Sequence, residues 1–386
     1  MSFDPLAAAK KLAPLIREGA AEGDRERRLP ERVATAMAEA GLYRLSVAKD
    51  LGGYEADPHT LMRAIEAVSE ADGAAGWNLM IGLETGGIAS GAMTPEAGRE
   101  VYGANPNAIM SGAVRASSKS TRVPGGWRLT GRWPYASGIH NANWFWGGSM
   151  LHDEDGEPLR DANGLPRQGQ MIIPKSEIEI IDTWQVAGLR GSGSHDAAVH
   201  DVFIPDHMWT DMNARPRQQT PLFTYPIVSR LCFTKVGVAT GIARAAITSF
   251  TELATRKTPF LSQNLLRERA HAQLAVAEAE CLLSSGRAFV FEAVGQMWRT
   301  VCADERPSPE LRIRQRLAAS YCVDAAVRAV EIVYKAAGAS PNFLESPMER
   351  QMRDVHVVAA HVTVAPAVFE TAGRAILGLE VAPGSF

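Results

Sequence analysis

Apolar residues in the first part of the chain recur at helical spacing. Val33, Met37 and Ala40 form one stripe behind Pro30, a residue that suits the first turn of a helix. The segment 61–70 repeats the pattern of apolar residues three or four positions apart. This part of the chain is therefore predicted to be helical.

The pattern changes near residue 109, where short runs of β-branched and aromatic residues alternate with turn residues. Gly125-Gly126 lies between a polar run and the segment 127–130, as in a β-hairpin. Further strands are predicted over 143–150, 170–173 and 197–204, and Pro205 ends the last of them. The charged segment 153–169 is typical of an exposed loop. Together these features predict a small β domain.

Helical spacing returns after a polar linker and continues almost to the end of the chain. Helices are predicted over 227–256, 262–303, 309–338 and 346–378. The second is long for a globular protein, as expected for a helical bundle or for contacts between subunits. The predicted domains are 1–108 (helical), 109–212 (β) and 213–386 (helical bundle).

Composition excludes some classes of protein. The 386 residues are 46% hydrophobic and 22% charged, with a net charge of −3, so the chain is not of the disordered type. A nearly neutral chain has no bulk electrostatic attraction to nucleic acid or to an anionic membrane. The longest apolar run, 355–369, is interrupted by polar residues, and no signal peptide is apparent. Four scattered cysteines suit a reducing compartment, so we expect a cytoplasmic protein.

The histidines do not form a metal-binding pattern. His356 and His361 are five positions apart in the predicted last helix, which separates them by about 140° around its axis. A pair at i and i+4 would share one face, but this pair does not. We therefore expect no metal site, and His361 alone would by default be a core histidine.

Two segments are candidates for ligand binding. The loop 188–194 is the richest in glycine, but it matches neither a P-loop nor a dinucleotide-binding fingerprint, and a turn is the simpler interpretation. The segment 131–140 combines two large aromatic residues, a serine and a histidine. It is compatible both with the core of a β domain and with a site for a flat aromatic ligand, in which Ser137 donates a hydrogen bond.

Several motifs in a fixed order resemble the acyl-CoA dehydrogenase fold, which is mainly α with a central β domain. The motifs are Leu51-Gly52-Gly53-Tyr54, the segment 127–138, the glycine-rich loop with 201–205 after it, and Arg353-Asp354. The resemblance spans the chain and implies an N-terminal helical domain, a middle β-barrel domain and a C-terminal four-helix bundle.

An acyl-CoA dehydrogenase needs a catalytic glutamate, and the resemblance places it near Val362 or near Leu231. Neither position is acidic, and no Asp or Glu occurs in 221–240 or 355–369. Without a positioned base, the α-proton of a thioester is not removed at a useful rate. A dehydrogenase with a relocated base remains an alternative, as does a non-catalytic scaffold protein with the same fold.

The other branch of this fold contains the oxygenase components of two-component flavin monooxygenases, such as p-hydroxyphenylacetate hydroxylase and the amino-sugar N-oxygenases. The segment 131–140 resembles their Gly-x-Trp-x-aromatic-x-Ser-Gly motif, which is followed by a histidine. His361, seven residues beyond Asp354, resembles their histidine on the last helix. One departure is that the histidine some members place late in the N-terminal domain is absent from 77–91.

This second resemblance implies the chemistry and the site. A separate reductase would supply reduced FMN or FAD, and O2 would react with it to give a C4a-(hydro)peroxide that oxygenates a small organic substrate. His361 would exchange a proton and Ser137 would hold flavin N5, so these two residues are the predicted catalytic residues. The predicted flavin-binding residues are Trp133, Tyr135, Ser137, Gly138, Arg190 and Ser192, and His140 is the predicted substrate-binding residue.

The apolar pattern also predicts an assembly. The long helix near 262–303 and the apolar tail 376–381 carry more hydrophobic surface than a lone bundle would leave exposed. We therefore expect a homotetramer formed through the C-terminal bundles, with no membrane or nucleic-acid partner.

Overall fold

A computed structural model describes residues 3–211, 214–382 and 385. Five helices precede a sheet, and six helices follow it, within these described residues. The predicted order of helical, β and helical regions and the acyl-CoA dehydrogenase-like fold are confirmed.

The N-terminal region packs its helices around the apolar stripes that the sequence shows. Val33 and Met37, and likewise Leu61 and Ile65, are almost fully buried. Its helices are α1 (Pro5–Glu26), α2 (Glu31–Glu39), α3 (Pro58–Ala71), α4 (Gly73–Ala92) and α5 (Pro95–Gly98).

The middle region is a single mixed sheet of seven strands. The strands are β1 (Met110–Val123), β2 (Gly126–Trp133), β3 (Trp144–His152), β4 (Gln168–Pro174), β5 (Glu179–Ile181), β6 (Asp196–Pro205) and β7 (Trp209–Thr210). They are arranged in the order β5-β6-β2-β1-β3-β4-β7. β1 and β2 form the expected hairpin, with Val123 opposite Gly126, whereas β1 and β3 run parallel.

The C-terminal region is helical, and its central helix packs against both the first region and the bundle. Its helices are α6 (Pro221–Thr224), α7 (Ile227–Ala254), α8 (Ala270–Cys302), α9 (Pro309–Ala336), α10 (Pro347–Ala359) and α11 (Ala367–Ile376). α7 packs against α3, α4, α9 and α10. By length and composition α7 could cross a membrane, but 83% of its most apolar window is buried inside this protein.

The last predicted helix, 346–378, is wrong as a single element. The structure has α10 and α11, separated by a non-helical segment over 360–366. Pro366 lacks a backbone N–H and restricts the residue before it, which disfavours a continuous helix. His361 therefore lies in a break between helices, and the 140° separation from His356 on one helix does not apply.

Candidate active site

Ser137 belongs to a buried group of hydroxyls just beyond the end of β2. Its Oγ is 2.6 Å from Ser194 Oγ, which is 2.7 Å from Ser192 Oγ. On the other side, the indole Nε1 of Trp77 on α4 donates to Ser137 Oγ at 3.0 Å. The three hydroxyl groups carry one hydrogen each, and the two hydrogen bonds between them use two of these hydrogens. One O–H is therefore left to donate to a ligand.

The turn that presents Ser137 contains two residues in the left-handed region. Tyr135 has φ 62° and Gly138 has φ 75°. A Cβ at Gly138 would lie 2.7 Å from Oδ1 of Asn78, so glycine is needed there for both conformation and space. Nδ2 of Asn78 donates to the Gly191 carbonyl at 3.3 Å. One residue of α4 thus contacts both the turn after β2 and the glycine-rich loop.

The glycine-rich loop is held by the helix that leads to His361. The Leu189 N–H donates to Oδ1 of Asp354 at 2.6 Å. A Cβ at Gly188 would lie 2.3 Å from the Arg353 carbonyl oxygen, so the loop and α10 are in direct backbone contact. Burial, followed by the nearby charge of Asp72, raises the pKa of Asp354 to about 7. The glycine-rich loop and the Arg353-Asp354 motif are therefore in direct contact.

His361 contacts the same tryptophan, Trp77, that donates to Ser137. Its ring meets the indole edge-on, with centroids 5.7 Å apart. The Thr363 N–H donates to Nδ1 of His361 at 3.3 Å, so Nδ1 is an acceptor and the neutral ring carries its proton on Nε2. In the described part of the chain, Nε2 has no hydrogen-bond partner. The structure thus leaves one imidazole N–H available to a ligand.

The neutral state of His361 has two physical causes. Burial is the larger, and the ammonium of Lys235 adds to it; together they lower the pKa of His361 to about 3. Oγ1 of Thr363 lies 2.9 Å from Nδ1 of His361 and 3.3 Å from the Leu231 carbonyl oxygen, so Thr363 contacts both the ring and α7. His361 is therefore attached to α7 at one of the positions where a dehydrogenase would carry its glutamate.

A buried ion pair lies between α4 and α7. Nζ of Lys235 is 2.5 and 2.6 Å from the two carboxylate oxygens of Glu84, and Thr234 donates to the same carboxylate. The side chains of Lys235 and Glu84 are 1% and 6% exposed. Because both oxygens of Glu84 are already bound, this carboxylate is not a free base.

Trp133 is placed differently from the expectation. Its side chain is fully buried in the sheet core, where Nε1 donates to the Gly148 carbonyl at 2.7 Å and the ring packs against Phe145. Because its side chain has no exposed surface, Trp133 cannot pack against a flavin ring. The predicted contact of Trp133 with the flavin is corrected accordingly. Tyr135, in contrast, is 69% exposed and meets Trp184 edge-on.

Arg190 and His140 are also not brought to Ser137 by the contacts described. Nε of Arg190 donates to the Asp24 carbonyl at 2.9 Å, and Nη1 to the Val186 carbonyl at 3.1 Å. His140 meets His195 edge-on and faces an open cleft of about 770 Å³ beside α1 and α2. Burial, then His195, lowers the pKa of His140 to about 4. Both residues lie at the interface between the N-terminal helices and the β region.

Sequence reasoning missed three members of this site. Trp77, Ser194 and Thr363 come from α4, the glycine-rich loop and the break after α10, and only the fold brings them to Ser137 and His361. Ser194 is the last residue of the glycine-rich loop 188–194, but the spacing of the serines along the chain does not indicate that they form a group. The segment 77–91 departs from the family by its missing histidine, and no sequence signal distinguishes Trp77 at its first position.

The group fits a flavin by its donor chemistry. A flavin ring presents nitrogens and carbonyl oxygens, and the spare hydroxyl hydrogen and the Nε2–H of His361 are neutral donors for such atoms, while the indole of Trp77 orients Ser137. No carboxylate belongs to the Ser137–Trp77–His361 group, so nothing in it repels an anionic ring. We call these three residues the Ser–Trp–His group.

Comparison with known proteins decides the family. The family model described as acyl-CoA dehydrogenase, C-terminal domain, matches residues 233–366, and the N-terminal domain model matches residues 7–97. An indole-3-acetate monooxygenase of Pseudomonas putida is 31% identical over 94% of this chain and 91% of its own length. The chain belongs to the flavin-dependent monooxygenases of the acyl-CoA dehydrogenase family.

Other relatives agree with this family. The flavin-dependent monooxygenase oxygenase subunit HsaA of Mycobacterium tuberculosis is 27% identical over 94% of this chain and 92% of its own length. The structure of XiaF from Streptomyces sp., in complex with FADH2 and glycerol, superposes with a TM-score of 0.90 at 25% identity, covering 98% of this chain and 96% of that one. The predicted function, a flavin-using oxygenase component that works with a separate reductase on a small molecule, is confirmed.

Proposed function

We propose that the Ser–Trp–His group is the catalytic centre of this oxygenase component. The single observation that supports it most is the free Nε2–H of His361, whose ring is held by Thr363 against the indole that binds Ser137. Reduced flavin, when bound, supplies the electrons that activate O2. The task left to the chain is to hold the ring, exclude water and move one proton.

Ser137 is the proposed partner of the flavin ring. The spare hydroxyl hydrogen of its serine group is oriented by Trp77 and Ser194, so little ordering is needed when a ring binds. Gly138 leaves room for Asn78 behind the turn, and Ser192 completes the group. Arg190 is not assigned to flavin binding, because it contacts Asp24 on α1.

His361 is the proposed proton donor and acceptor. In the ligand-free protein it is neutral, with Nε2–H directed away from its Nδ1 anchor. It can donate that proton to a developing oxyanion and regain one from the substrate, as a general acid–base group does. An anion close to the ring raises the pKa of His361 from its value in the ligand-free state, which makes the exchange easier.

The experiment compares His361→Ala with His356→Ala. His356 is exposed and contacts Glu331 on α9, away from the group. We expect His361→Ala to keep reduced-flavin binding but to lower product formation by about 10²-fold, the scale typical for loss of a general acid–base group. His356→Ala should retain nearly full activity. Equal activity of both variants with the wild type would contradict the proposal.

The proposed substrate is a flat aromatic molecule. One relative is named for indole-3-acetate, and the aromatic residues near the group suit a ring of that kind. The alternative of a dehydrogenase with a relocated base is not supported by Glu84, whose two oxygens are bound by Lys235. Anaerobic bleaching of bound oxidised flavin by an acyl-CoA would revive that alternative.

We also propose that the protein is a cytoplasmic homotetramer assembled through its C-terminal helices. Val362, Ile376 and Leu377 are 76%, 68% and 78% exposed in the single chain, which is more than isolated surface residues of a bundle need be. Light scattering at micromolar concentration should give four times the mass of the chain. A monomeric mass would contradict the proposal.

A further inference from the structure

A second cavity, distinct from the cleft at His140, lies between the sheet and the start of α7. Its volume is about 400 Å³, within the range of small-molecule sites. The wall is largely apolar and aromatic, with Ile88, Ala92, Trp146, Phe223, Tyr225 and Ile227 as its main members.

Arg230 is part of this wall, and no carboxylate of the described residues forms a salt bridge with it. The residue is 3% exposed, and Nη1 makes only a 3.4 Å contact with the Leu222 carbonyl. Nη2 has no hydrogen-bond partner among the described residues. The nearest acid that acts on it is Glu84, whose two oxygens are bound by Lys235. One positive charge in this buried cluster is therefore in excess.

An unpaired buried cation is costly, and proteins rarely keep one without a use for it. Burial lowers the pKa of Arg230 to about 10, so the guanidinium still carries its charge at neutral pH. The other charged members of the wall do not compensate it. Asp211 is 3.5 Å from Arg167, which is outside the cavity, and Arg215 adds a second positive charge at the exposed mouth.

The surroundings of the guanidinium are shaped for it. A Cβ at position 87 would lie 2.3 Å from Nη2, so Gly87 leaves the space that the charge occupies. The ring of Phe223 lies 5.8 Å from Cζ and is itself part of the cavity wall. Because Nη2 has no contact with solvent, a ligand reaches it only if a side chain of the wall shifts.

We infer that this cavity binds the substrate as an aromatic acid, whose ring packs against the aromatic wall and whose carboxylate pairs with Arg230. The inference rests on the proposed function and adds to it the charge of the substrate. The carbonyl oxygen of Leu231, the next residue after Arg230, lies 3.3 Å from Oγ1 of Thr363, the residue that holds His361. Through Thr363, His361 is thus linked to the residue of α7 that follows Arg230.

The test uses the flavin-free protein and two matched ligands, indole-3-acetate and its uncharged amide. Binding is measured by calorimetry, with quenching of tryptophan fluorescence as a second readout, since Trp146 is in the wall. A charge-assisted hydrogen bond is worth about 1.5–3 kcal/mol, so the wild type should bind the acid about 10- to 100-fold more tightly than the amide. Equal binding of both ligands, or of neither, would overturn the inference.

Variants locate the charge that is responsible. Arg230→Met should abolish the preference for the acid and change amide binding by less than about 3-fold, because only the charged contact is lost. Arg230→Lys should keep part of the preference. Arg215→Met is the matched control, since an exposed cation at the mouth contributes little through solvent. If Arg215→Met removes the preference and Arg230→Met does not, the assignment is wrong.

Two further measurements keep the result interpretable. Circular dichroism and thermal unfolding report whether Arg230→Met folds, and the comparison of acid and amide in the wild type stands without any variant. Anaerobic titration of the wild type with reduced flavin tests the proposed function separately. Flavin binding without a preference for the acid would refute this inference alone, whereas failure to bind reduced flavin would refute the proposed function.

Discussion

The buried, neutral state of His361 predicts a specific loss of stability in acid. The pKa of His361 is lowered from 6.5 to about 3 in the folded protein, by burial first and by Lys235 second. In the unfolded chain the ring is solvated and takes up its proton near the ordinary value. As the pH falls, the unfolded state therefore binds this proton before the folded state does, and folding becomes less favourable.

The size of the effect follows from linkage. The contribution is intact above pH 6.5 and is lost progressively as the pH falls towards about 3. Well inside this window each pH unit costs about 1.4 kcal/mol, so the wild type should lose ~2 kcal/mol between pH 7.5 and pH 5 through this group alone. Other groups also titrate in this range, and comparison with a variant that lacks only His361 cancels them.

The assay is urea denaturation at pH 7.5 and pH 5, at one protein concentration, because an oligomer's stability depends on concentration. The variants are His361→Gln and the control His356→Gln, which removes an exposed histidine. The loss between the two pH values should be ~2 kcal/mol smaller for His361→Gln than for the wild type, and unchanged for His356→Gln. Equal losses in all three proteins would refute the reasoning about His361.

Two more predictions concern the packing around the site. Lys235→Met should cost about 3–5 kcal/mol, because it removes the ammonium that binds both oxygens of the buried Glu84, and adding Glu84→Gln should recover most of that loss; a double variant as unstable as the single one would contradict this. Gly188→Ala should cost about 1–3 kcal/mol, since its Cβ would meet the Arg353 carbonyl oxygen, while Gly373→Ala, with nothing within 4 Å, should change the stability by less than ~1 kcal/mol. Urea denaturation measures both pairs, and equal effects of the two glycine substitutions would be inconsistent with the described contact.

The fold could be predicted from the sequence because its signals are local and repeated. Helical spacing, turn residues and ordered motifs predicted helices, sheet and helices in the right order. The break at 360–366 was missed because the segment is apolar and its ending depends on Pro366 and on contacts of Thr363 with α7. Periodicity does not register such contacts between distant parts of the chain.

The candidate site was predicted only in part, for a similar reason. Ser137 and His361 stood out by resemblance, but the indole that joins them, Trp77, comes from a helix about 60 residues earlier in the chain. The predicted flavin contact of Trp133 is not found because an aromatic residue in a strand packs in the protein core as readily as against a ligand. The uncompensated charge of Arg230 becomes visible only when burial and partners are known.

The most direct test of the central claim follows oxygen itself. The wild-type protein is mixed anaerobically with reduced FMN or FAD and indole-3-acetate, ¹⁸O2 is then admitted, and the product is analysed by mass spectrometry. The account predicts a product that carries one oxygen atom from ¹⁸O2, with the flavin returned to its oxidised form. Reoxidation of the flavin with hydrogen peroxide as the only product, for indole-3-acetate and for a panel of other aromatic compounds, would contradict it.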